Sequence, residues 1–379
     1  MFDYVTLKII WWCFVGVLII GFAIMDGFDF GVGMLLTIIG KTDVERRIML
    51  NSIGPTWEGN QTWFITAGGA LFAAWPLAYA AAFSGFYVAL MLLLFSLFLR
   101  PVGFDYRSKI EDVRWRTTWD WLLFTGGFVP PLIFGIAFGN LLLGVPFHYD
   151  SEMRLAYQGG LIELLNPFGL LTGIISVAML VMHGAAFLIT KTNGAIAARA
   201  RISLFIATAV CLICFIIAGI FITYRIEGFQ ILSMPDTNSA FMPTAKAVVR
   251  STGGWLANFI QWPWLWTVPA MVLFAAVASV LFSLREKAIS AFIASGFVVA
   301  FIILTAATAM FPFVMPSSLD PNSSLTAWDV VASHKSLGIM FWVVVIFMPI
   351  IISYTAWIYR VMRGKIDAQH IADHQHSAY

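Results

Sequence analysis

The sequence predicts an all-α polytopic membrane protein with nine transmembrane helices. Of its 379 residues, 60% are hydrophobic and only 11% are charged, and the mean hydropathy is +0.87. Soluble domains are about 45–50% apolar and about 25% charged, so this chain has too few polar residues to cover a surface in water. Its apolar runs also reach about 18 residues or more, the length that crosses about 30 Å of hydrocarbon.

Eight of the nine spans follow directly from separate apolar runs, and the ninth comes from dividing the long run 57–99. Trp57 and Trp75 favour membrane interfaces, and Pro76 favours a break. We therefore predict a tight hairpin of two spans at this point. The chain is predicted to be one integral-membrane domain, 1–379, with spans at about 9–30, 57–75, 77–99, 119–141, 167–189, 202–224, 262–284, 288–310 and 337–359.

The distribution of positive charge predicts the orientation of these spans. With nine spans, most of the 22 Lys and Arg residues fall on one side of the membrane. The few on the other side are Lys8, Arg154, Arg225, Lys246, Arg250 and Lys335. Because short cytoplasmic loops are enriched in Lys and Arg, we expect the N-terminus in the periplasm and the C-terminus in the cytoplasm.

Charge and cysteine content exclude several other classes of protein. The net charge is only +2, without a basic block, so nucleic-acid binding has no electrostatic support. Cys13, Cys211 and Cys214 all lie in apolar runs. We interpret the pair Cys211 and Cys214 as small packing residues of a helix, since no polar partners for a metal or redox site surround them.

Four carboxylates and one arginine are predicted at a similar depth near the cytoplasmic side. Asp26 and Asp29 lie late in the first span, Glu58 opens the second, Arg100 closes the third and Asp120 opens the fourth. Charges at membrane depth are costly and mark function by default. Since Arg100 can pair with only one or two acids, the others must be hydrated, hydrogen-bonded or protonated, as in a proton path. The alternative is that Asp29, Glu58 and Asp120 are ordinary helix-end residues and Arg100 a charge anchor.

Histidine content limits the haem groups that this chain could hold. A transmembrane haem with two histidine ligands needs them in facing spans, but only His183 lies in a predicted span. His148 and His334 fall in outer loops. We therefore interpret His183 as a hydrogen-bonded packing residue, and we expect another subunit to hold most of any redox chemistry.

Several longer strings point to a known family. They are Gly27-Phe-Asp-Phe-Gly31, Glu45-Arg-Arg47, Trp57-Glu-Gly-Asn60, Gly68-Gly-Ala-Leu-Phe-Ala-Ala-Trp-Pro76, Arg100-Pro-Val-Gly-Phe-Asp-Tyr-Arg107 and Phe311-Pro-Phe-Val-Met-Pro-Ser-Ser318. Together they resemble subunit II of the cytochrome bd-type ubiquinol oxidases, and the likeness runs from the first residues to the C-terminal tail.

This resemblance implies a fold, a partner and an activity. The fold is two four-helix bundles plus a peripheral helix, paired pseudosymmetrically with subunit I in the bacterial cell inner membrane. Subunit I carries two b haems and haem d, and the pair reduces O2 to water with ubiquinol, generating proton-motive force without pumping. The resemblance leaves open whether this subunit also binds a quinone and whether a small single-span subunit joins the complex.

The resemblance also implies roles for individual residues. Glu58 occupies the acid position of a motif associated with a proton route at the subunit interface. Asp29, Arg100 and Asp120 match positions linked to assembly of the haem region, which gives them a supporting electrostatic role, and Asp26 joins them on local geometry alone. None is expected to ligate iron or another metal.

Two other classes of function remain as alternatives at the level of the sequence. A stand-alone proton- or cation-coupled transporter would also contain buried acids and broken helices. Its acids would lie at the midplane, however, whereas these cluster towards one side. The second alternative is a structural scaffold without a role in proton transfer.

Overall fold

A computed structural model describes residues 2–367, 369 and 371 as a mostly helical protein. The α-helices are α1 (Tyr4–Met25), α2 (Gly27–Ile39), α3 (Asp43–Ile53), α4 (Trp57–Ala74), α5 (Pro76–Gly85), α6 (Tyr87–Tyr106), α7 (Val113–Leu143), α8 (Leu161–Leu164), α9 (Pro167–Lys191), α10 (Gly194–Tyr224), α11 (Ala257–Gln261), α12 (Thr267–Leu284), α13 (Ala288–Met310) and α14 (His334–Val361).

Within the described residues, eight helical segments are long and apolar enough to cross a membrane, and a bent pair raises this number to nine. The first segment combines α1 and α2 over 36 residues, Tyr4–Ile39. The others contain α6, α7, α9, α10, α12, α13 and α14. The bent pair is α4 and α5, whose axes differ by 119°. The predicted number of spans therefore agrees with the upper value.

The region 57–99 differs from the predicted hairpin. The break at Pro76 is confirmed, but the following span does not begin at residue 77. Instead, the short helix α5 leads to a second break, and α6 begins only at Tyr87. A side chain at Gly85 would meet the Tyr157 ring at 2.4 Å, so a glycine is required where the chain turns under this aromatic side chain. No proline marks the second break, which is why the sequence pattern did not reveal it.

The helices that carry Arg100 and Asp120 also extend further than predicted. Helix α6 continues through Pro101 to Tyr106, and α7 begins at Val113, so Arg100 and Asp120 both lie inside helices rather than at helix ends. The predicted boundaries relied on charges marking the edge of the membrane. A charged residue can remain inside a helix when a neighbouring helix supplies its partner, and the structure shows such partners for both residues.

Helix α9 lies at the centre of the molecule. It packs against α2, α7, α10 and α13, and most of its side chains are buried. At its crossing with α2, a Cβ atom on Gly31 would lie 2.8 Å from the Cα of Gly184. Small residues therefore allow these two backbones to approach closely, as is common between membrane helices. This crossing fixes α2, which carries Asp29, against the core.

Short antiparallel ribbons order the loops at the end of the molecule where the chain begins. Strand β1 (Phe147–Tyr149) pairs with β2 (Leu155–Tyr157), β3 (Glu227–Ser233) with β4 (Ala247–Thr252), and β5 (Phe313–Met315) with β6 (Leu325–Thr326). The Nζ of Lys8 in α1 donates hydrogen bonds to the carbonyl oxygens of Thr237, Ser239 and Trp328, at 2.8, 3.0 and 2.7 Å. The first helix thus holds both larger loops.

A buried ion pair joins the same two loops. Lys246 Nζ lies 2.9 Å from Asp329 Oδ2, and both side chains are fully buried. Burial lowers the pKa of Lys246 and raises the pKa of Asp329, while the attraction between the two charges opposes both shifts. Thr326 also donates to the Asp329 carboxylate through its backbone N–H and its hydroxyl. The pair therefore fixes one loop against the other.

Candidate functional site: buried acids around Arg100

The centre of the site is a fully buried ion pair between Asp26 and Arg100. Asp26 lies at the break between α1 and α2, and Arg100 reaches it from α6 with two hydrogen bonds, of 2.7 and 3.1 Å. The guanidinium carbon of Arg100 also lies 4.3 Å from the Phe30 ring centroid and 5.6 Å from that of Trp57. A planar guanidinium suits this two-point contact and the aromatic faces.

Asp29, one turn further along, has a different partner. Asn60 Nδ2 donates to Asp29 Oδ2 at 2.8 Å, and the Tyr359 hydroxyl donates to Asn60 Oδ1 at 2.7 Å. Asp29 Oδ1 is buried and has no hydrogen-bond partner among the described residues. Asn60 and Tyr359 were not expected in the site from sequence reasoning. Asn60 could have been found, since it closes the string Trp57-Glu-Gly-Asn60, but nothing in the sequence pointed to Tyr359.

Asp120 belongs to a second cluster, which contains arginines from the ends of neighbouring helices. Arg107 Nε contacts Asp120 Oδ1 at 2.6 Å and Arg46 Nη1 contacts Asp120 Oδ2 at 2.8 Å. Arg107 also bonds Asp43 at 2.9 Å. Arg100 and Arg107 are seven residues apart on α6, which is about 10 Å along a helix. The acids predicted at one depth thus form two layers, with Asp26 beside Arg100 and Asp120 beside Arg107.

Arginines outnumber acids in this second cluster, which we call the arginine layer: Arg46, Arg47, Arg107 and Arg116 with Asp43 and Asp120. Arg116 Nη1 contacts Asp43 Oδ2 at 2.7 Å. Burial lowers the pKa of Arg47, the Asp43 charge raises it, and the positive charges of Arg116 and Arg107 lower it further. The excess of positive charge fits the predicted cytoplasmic side. Arg46 and Arg107 belong to two of the strings that resemble the oxidase family, but the sequence alone assigns them no role in the site.

Glu58 stands apart from both layers. It lies in the first turn of α4, as predicted, but its side chain is exposed and forms no hydrogen bond or ion pair with the described residues. Asn60 lies two residues later, about 200° around the helix, and its side chain is buried. Glu58 and the Asn60–Asp29 contact therefore face opposite sides of α4. A carboxylate at this place on the outside of a membrane subunit requires a polar partner or water.

His183 offers no free ring nitrogen to haem iron in this structure. Both ring nitrogens of His183 are engaged, Nδ1 with Ser295 Oγ at 2.8 Å and Nε2 with the Ile24 carbonyl oxygen at 3.0 Å. The ring also stacks on Phe292. Over residues 2–367, 369 and 371, no group of three or more His, Cys, Asp or Glu side chains could hold a metal ion. His370, His374 and His376 lie outside the described residues.

Comparison with known proteins places this fold and site in a family. The sequence profile of the family described as cytochrome bd terminal oxidase subunit II matches residues 7–362. The chain is 54% identical over 379 residues to the cytochrome bd-I ubiquinol oxidase subunit 2 of Escherichia coli strain K12, covering 100% of both chains. It is 29% identical over 363 residues to the cytochrome bd ubiquinol oxidase subunit 2 of Bacillus subtilis strain 168, covering 95% of this chain and 97% of that protein.

A solved structure supports the same fold. The bd oxidase from Geobacillus thermodenitrificans contains a chain that superposes with a TM-score of 0.68 at 16% identity, covering 94% of this chain and 99% of that chain. At this identity the likeness concerns the fold alone. The family match covers nearly the whole sequence, including every residue of the two layers and Glu58. The chain therefore belongs to the cytochrome bd terminal oxidase subunit II family.

Proposed function

We propose that this chain is the non-haem-ligating subunit of a quinol:dioxygen oxidoreductase in the cell inner membrane, paired with a haem-bearing subunit I. In this proposal, electron transfer from ubiquinol and reduction of O2 to water take place at two b haems and one haem d held by subunit I. The present chain supports the region around those haems and supplies a cytoplasmic route for protons. The family match gives no support to the transporter considered as an alternative.

The engaged ring of His183 supports the assignment of the haems to the partner. A nitrogen that already shares a hydrogen bond with a hydroxyl or a carbonyl must give it up before it can bind iron. In addition, the Phe292 ring covers one face of the imidazole at a centroid distance of 4.7 Å. The described residues are thus arranged for packing at this position rather than for ligation.

The exposed Glu58 carboxylate is the single observation that carries the proton-route proposal. It projects away from the subunit's own core, although the neighbouring acids Asp26 and Asp29 are buried. An acid in this position would face the partner subunit or water between the two subunits. There it can accept a proton from the cytoplasmic side and pass it on, which a residue with a fixed ion-pair partner could not do as readily.

Replacement of Glu58 by glutamine tests this role. Because glutamine keeps the size and hydrogen-bonding capacity but cannot exchange a proton, Glu58→Gln is expected to slow quinol-driven O2 uptake roughly 10-fold or more. Haem content, measured from the reduced-minus-oxidised spectrum, should stay within the wild-type range. The matched control is Glu111→Gln, the same change on an exposed acid of the loop between α6 and α7. Wild-type turnover of Glu58→Gln would contradict the proposal.

Purification of the tagged chain in mild detergent tests the partnership itself. A larger subunit with b- and d-type haem bands is expected to co-purify with it. A colourless chain that is stable alone would contradict the proposed pairing, whatever the result for Glu58.

A further inference from the structure

Asp29 has one carboxylate oxygen with a hydrogen-bond partner and one without, and the residue lines a small cavity. Its Oδ2 accepts the hydrogen bond from Asn60, whereas Oδ1 has no donor among the described residues although the side chain is only 1% exposed. A buried oxygen without a hydrogen bond costs about 1–3 kcal/mol, and more when the group is charged. The local structure therefore requires a further donor near Oδ1.

A small cavity beside Asp29 has the size of that donor. Its volume is about 10 Å³, and the charged residues that line it are Asp29 and Arg100. The rest of the wall is apolar and includes Leu50, Ile53 and Phe104. A cavity needs about 10–15 Å³ by this measure to hold one water molecule, and that water needs polar partners.

We propose that this cavity binds a single water molecule between Asp29 and Arg100. The water donates one hydrogen bond to Asp29 Oδ1 and accepts one from a guanidinium N–H of Arg100. A guanidinium has five N–H donors, and two of those of Arg100 point at Asp26. The water thus links Asp29 to the Asp26–Arg100 pair, which no direct hydrogen bond does.

The site also determines the direction in which Asp29 can exchange a proton. On the Oδ2 side, Asn60 donates an amide N–H and Tyr359 donates to the amide oxygen. An amide does not readily take up and release protons, so this side fixes the carboxylate in place without relaying a proton. On the Oδ1 side, the water can donate and accept. This inference concerns Asp26, Asp29 and Arg100 alone and does not depend on the role of Glu58.

A density map of the purified two-subunit complex at a resolution that shows ordered water is the direct test. The expected result is one isolated peak within hydrogen-bond distance of both Asp29 Oδ1 and an Arg100 nitrogen. An empty cavity in a map that shows other buried waters would overturn the proposal. So would a peak that contacts only one of the two side chains.

Gly33→Ala tests the same site by filling it. Gly33 lines the cavity, and a methyl group there would lie 3.4 Å from Leu123 O and from Gly127 Cα, which is ordinary contact. We expect this variant to lose the water peak and to keep the Asp26–Arg100 contact. The control is Gly68→Ala on α4, where a methyl group meets nothing within 4 Å. A water peak that persists unchanged in Gly33→Ala would place the water elsewhere and overturn the assignment.

Discussion

At the scale of single residues, the two buried acids of the first span have different partners. Asp26 pairs with the charged Arg100, whereas Asp29 contacts the neutral Asn60. Asp26 and Arg100 satisfy each other with two hydrogen bonds, and aromatic rings cover the guanidinium. Asp29 is held by Asn60. Burial of a charge is tolerated only when its partner is present. The arrangement therefore makes Asp26 and Arg100 depend on each other, because loss of either leaves the other buried without its ion-pair partner.

Loss of Arg100 is expected to destabilise the complex strongly. Arg100→Ala leaves the Asp26 charge buried without a partner, which costs about 3–5 kcal/mol. The double variant Asp26→Asn, Arg100→Gln removes both charges and should be less destabilised than Arg100→Ala alone. The measurements are the thermal-unfolding midpoint and the haem-to-protein ratio of the purified complex. Arg114→Ala, at an exposed arginine of α7, serves as the control. A wild-type midpoint and full haem content in Arg100→Ala would refute this view of the pair.

The sequence singled out Asp26, Asp29 and Arg100, which are buried, but not the residues that hold Asp29. Asp26, Asp29 and Arg100 stand out because a charge inside an apolar run is rare. Asn60 and Tyr359 do not, because an amide and a phenol are unremarkable in such a run. Their contacts also join residues 31 and 299 positions apart in the sequence. Helix rotation decides such pairs, and a nearly uniform apolar sequence carries little information about rotation.

At the scale of elements, the break between α1 and α2 is held from outside the two helices. His183 of α9 donates from Nε2 to the carbonyl oxygen of Ile24, two residues before Asp26, and its other nitrogen contacts Ser295 of α13. One imidazole thus joins three helices close to the junction of α1 and α2. Asp26 lies at this junction, where it pairs with Arg100 of α6, and Asp29 follows it and accepts from Asn60 of α4.

Removal of this imidazole is expected to loosen the break. His183→Leu leaves the Ile24 carbonyl without its side-chain donor and should cost about 1–3 kcal/mol. His183→Gln retains a donor and should recover part of this loss. The unfolding midpoint of the complex measures both. If the His183→Leu and His183→Gln variants are equally stable, the hydrogen bond to Ile24 does not stabilise the junction of α1 and α2.

Helix α3 gives a prediction for pH dependence outside the membrane-spanning segments. Glu45 closes a capping box with Thr42, accepts from the Lys41 N–H at 2.7 Å and pairs with Arg199 of α10. Burial alone would raise the pKa of Glu45, but the hydrogen bonds from Lys41, Arg199 and Thr42 outweigh it and hold this pKa below its usual 4.5. Because the folded-state pKa is the lower one, this stabilisation is present above pH 4.5 and is lost as the pH falls through the folded value.

Glu45→Gln keeps the capping acceptor but loses the negative charge, so it should be less stable than the wild type at pH 7 by up to about 1 kcal/mol. The difference should shrink as the pH falls below 4.5 and through the lower folded-state pKa. Glu45→Ala loses the capping acceptor as well and should retain a deficit at every pH. Unfolding midpoints of the three proteins at pH 7 and at pH values stepping from 4.5 downwards test this. If the difference in unfolding midpoint between the wild type and Glu45→Gln does not change with pH, the electrostatic explanation is wrong.

The elements themselves were predictable wherever an apolar run or a proline marked them. The break at Pro76 and the start of α4 at Trp57 agree with the sequence analysis. The second break, beside Gly85, was not predicted, because no proline marks it and the close approach of Gly85 to the Tyr157 ring involves a distant ribbon. The ends of α6 and α7 were misplaced for a related reason: partners in other helices allow their charges to lie inside the fold.

At the scale of the whole molecule, charge is divided between the two ends. The arginine layer lies at one end, with four arginines and two acids. At the other end, Lys8 and Lys246 are enclosed by the loops that they hold together. Buried lysines that serve as structural anchors contribute little to the charge of the surface facing the membrane. This strengthens the prediction that the arginine layer faces the cytoplasm.

Labelling of single cysteines in intact cells tests that orientation. The background has Cys13, Cys211 and Cys214 replaced by alanine. Ser151→Cys lies in the exposed turn between β1 and β2, and Glu111→Cys lies before α7, so one span separates the two sites. With the N-terminus in the periplasm, a membrane-impermeant maleimide should label residue 151 in intact cells and residue 111 only after the membrane is opened. The reverse pattern would place Glu58 and the arginine layer on the periplasmic side. A cytoplasmic proton route through Glu58 would then be excluded, because its entrance would lie on the wrong side of the membrane.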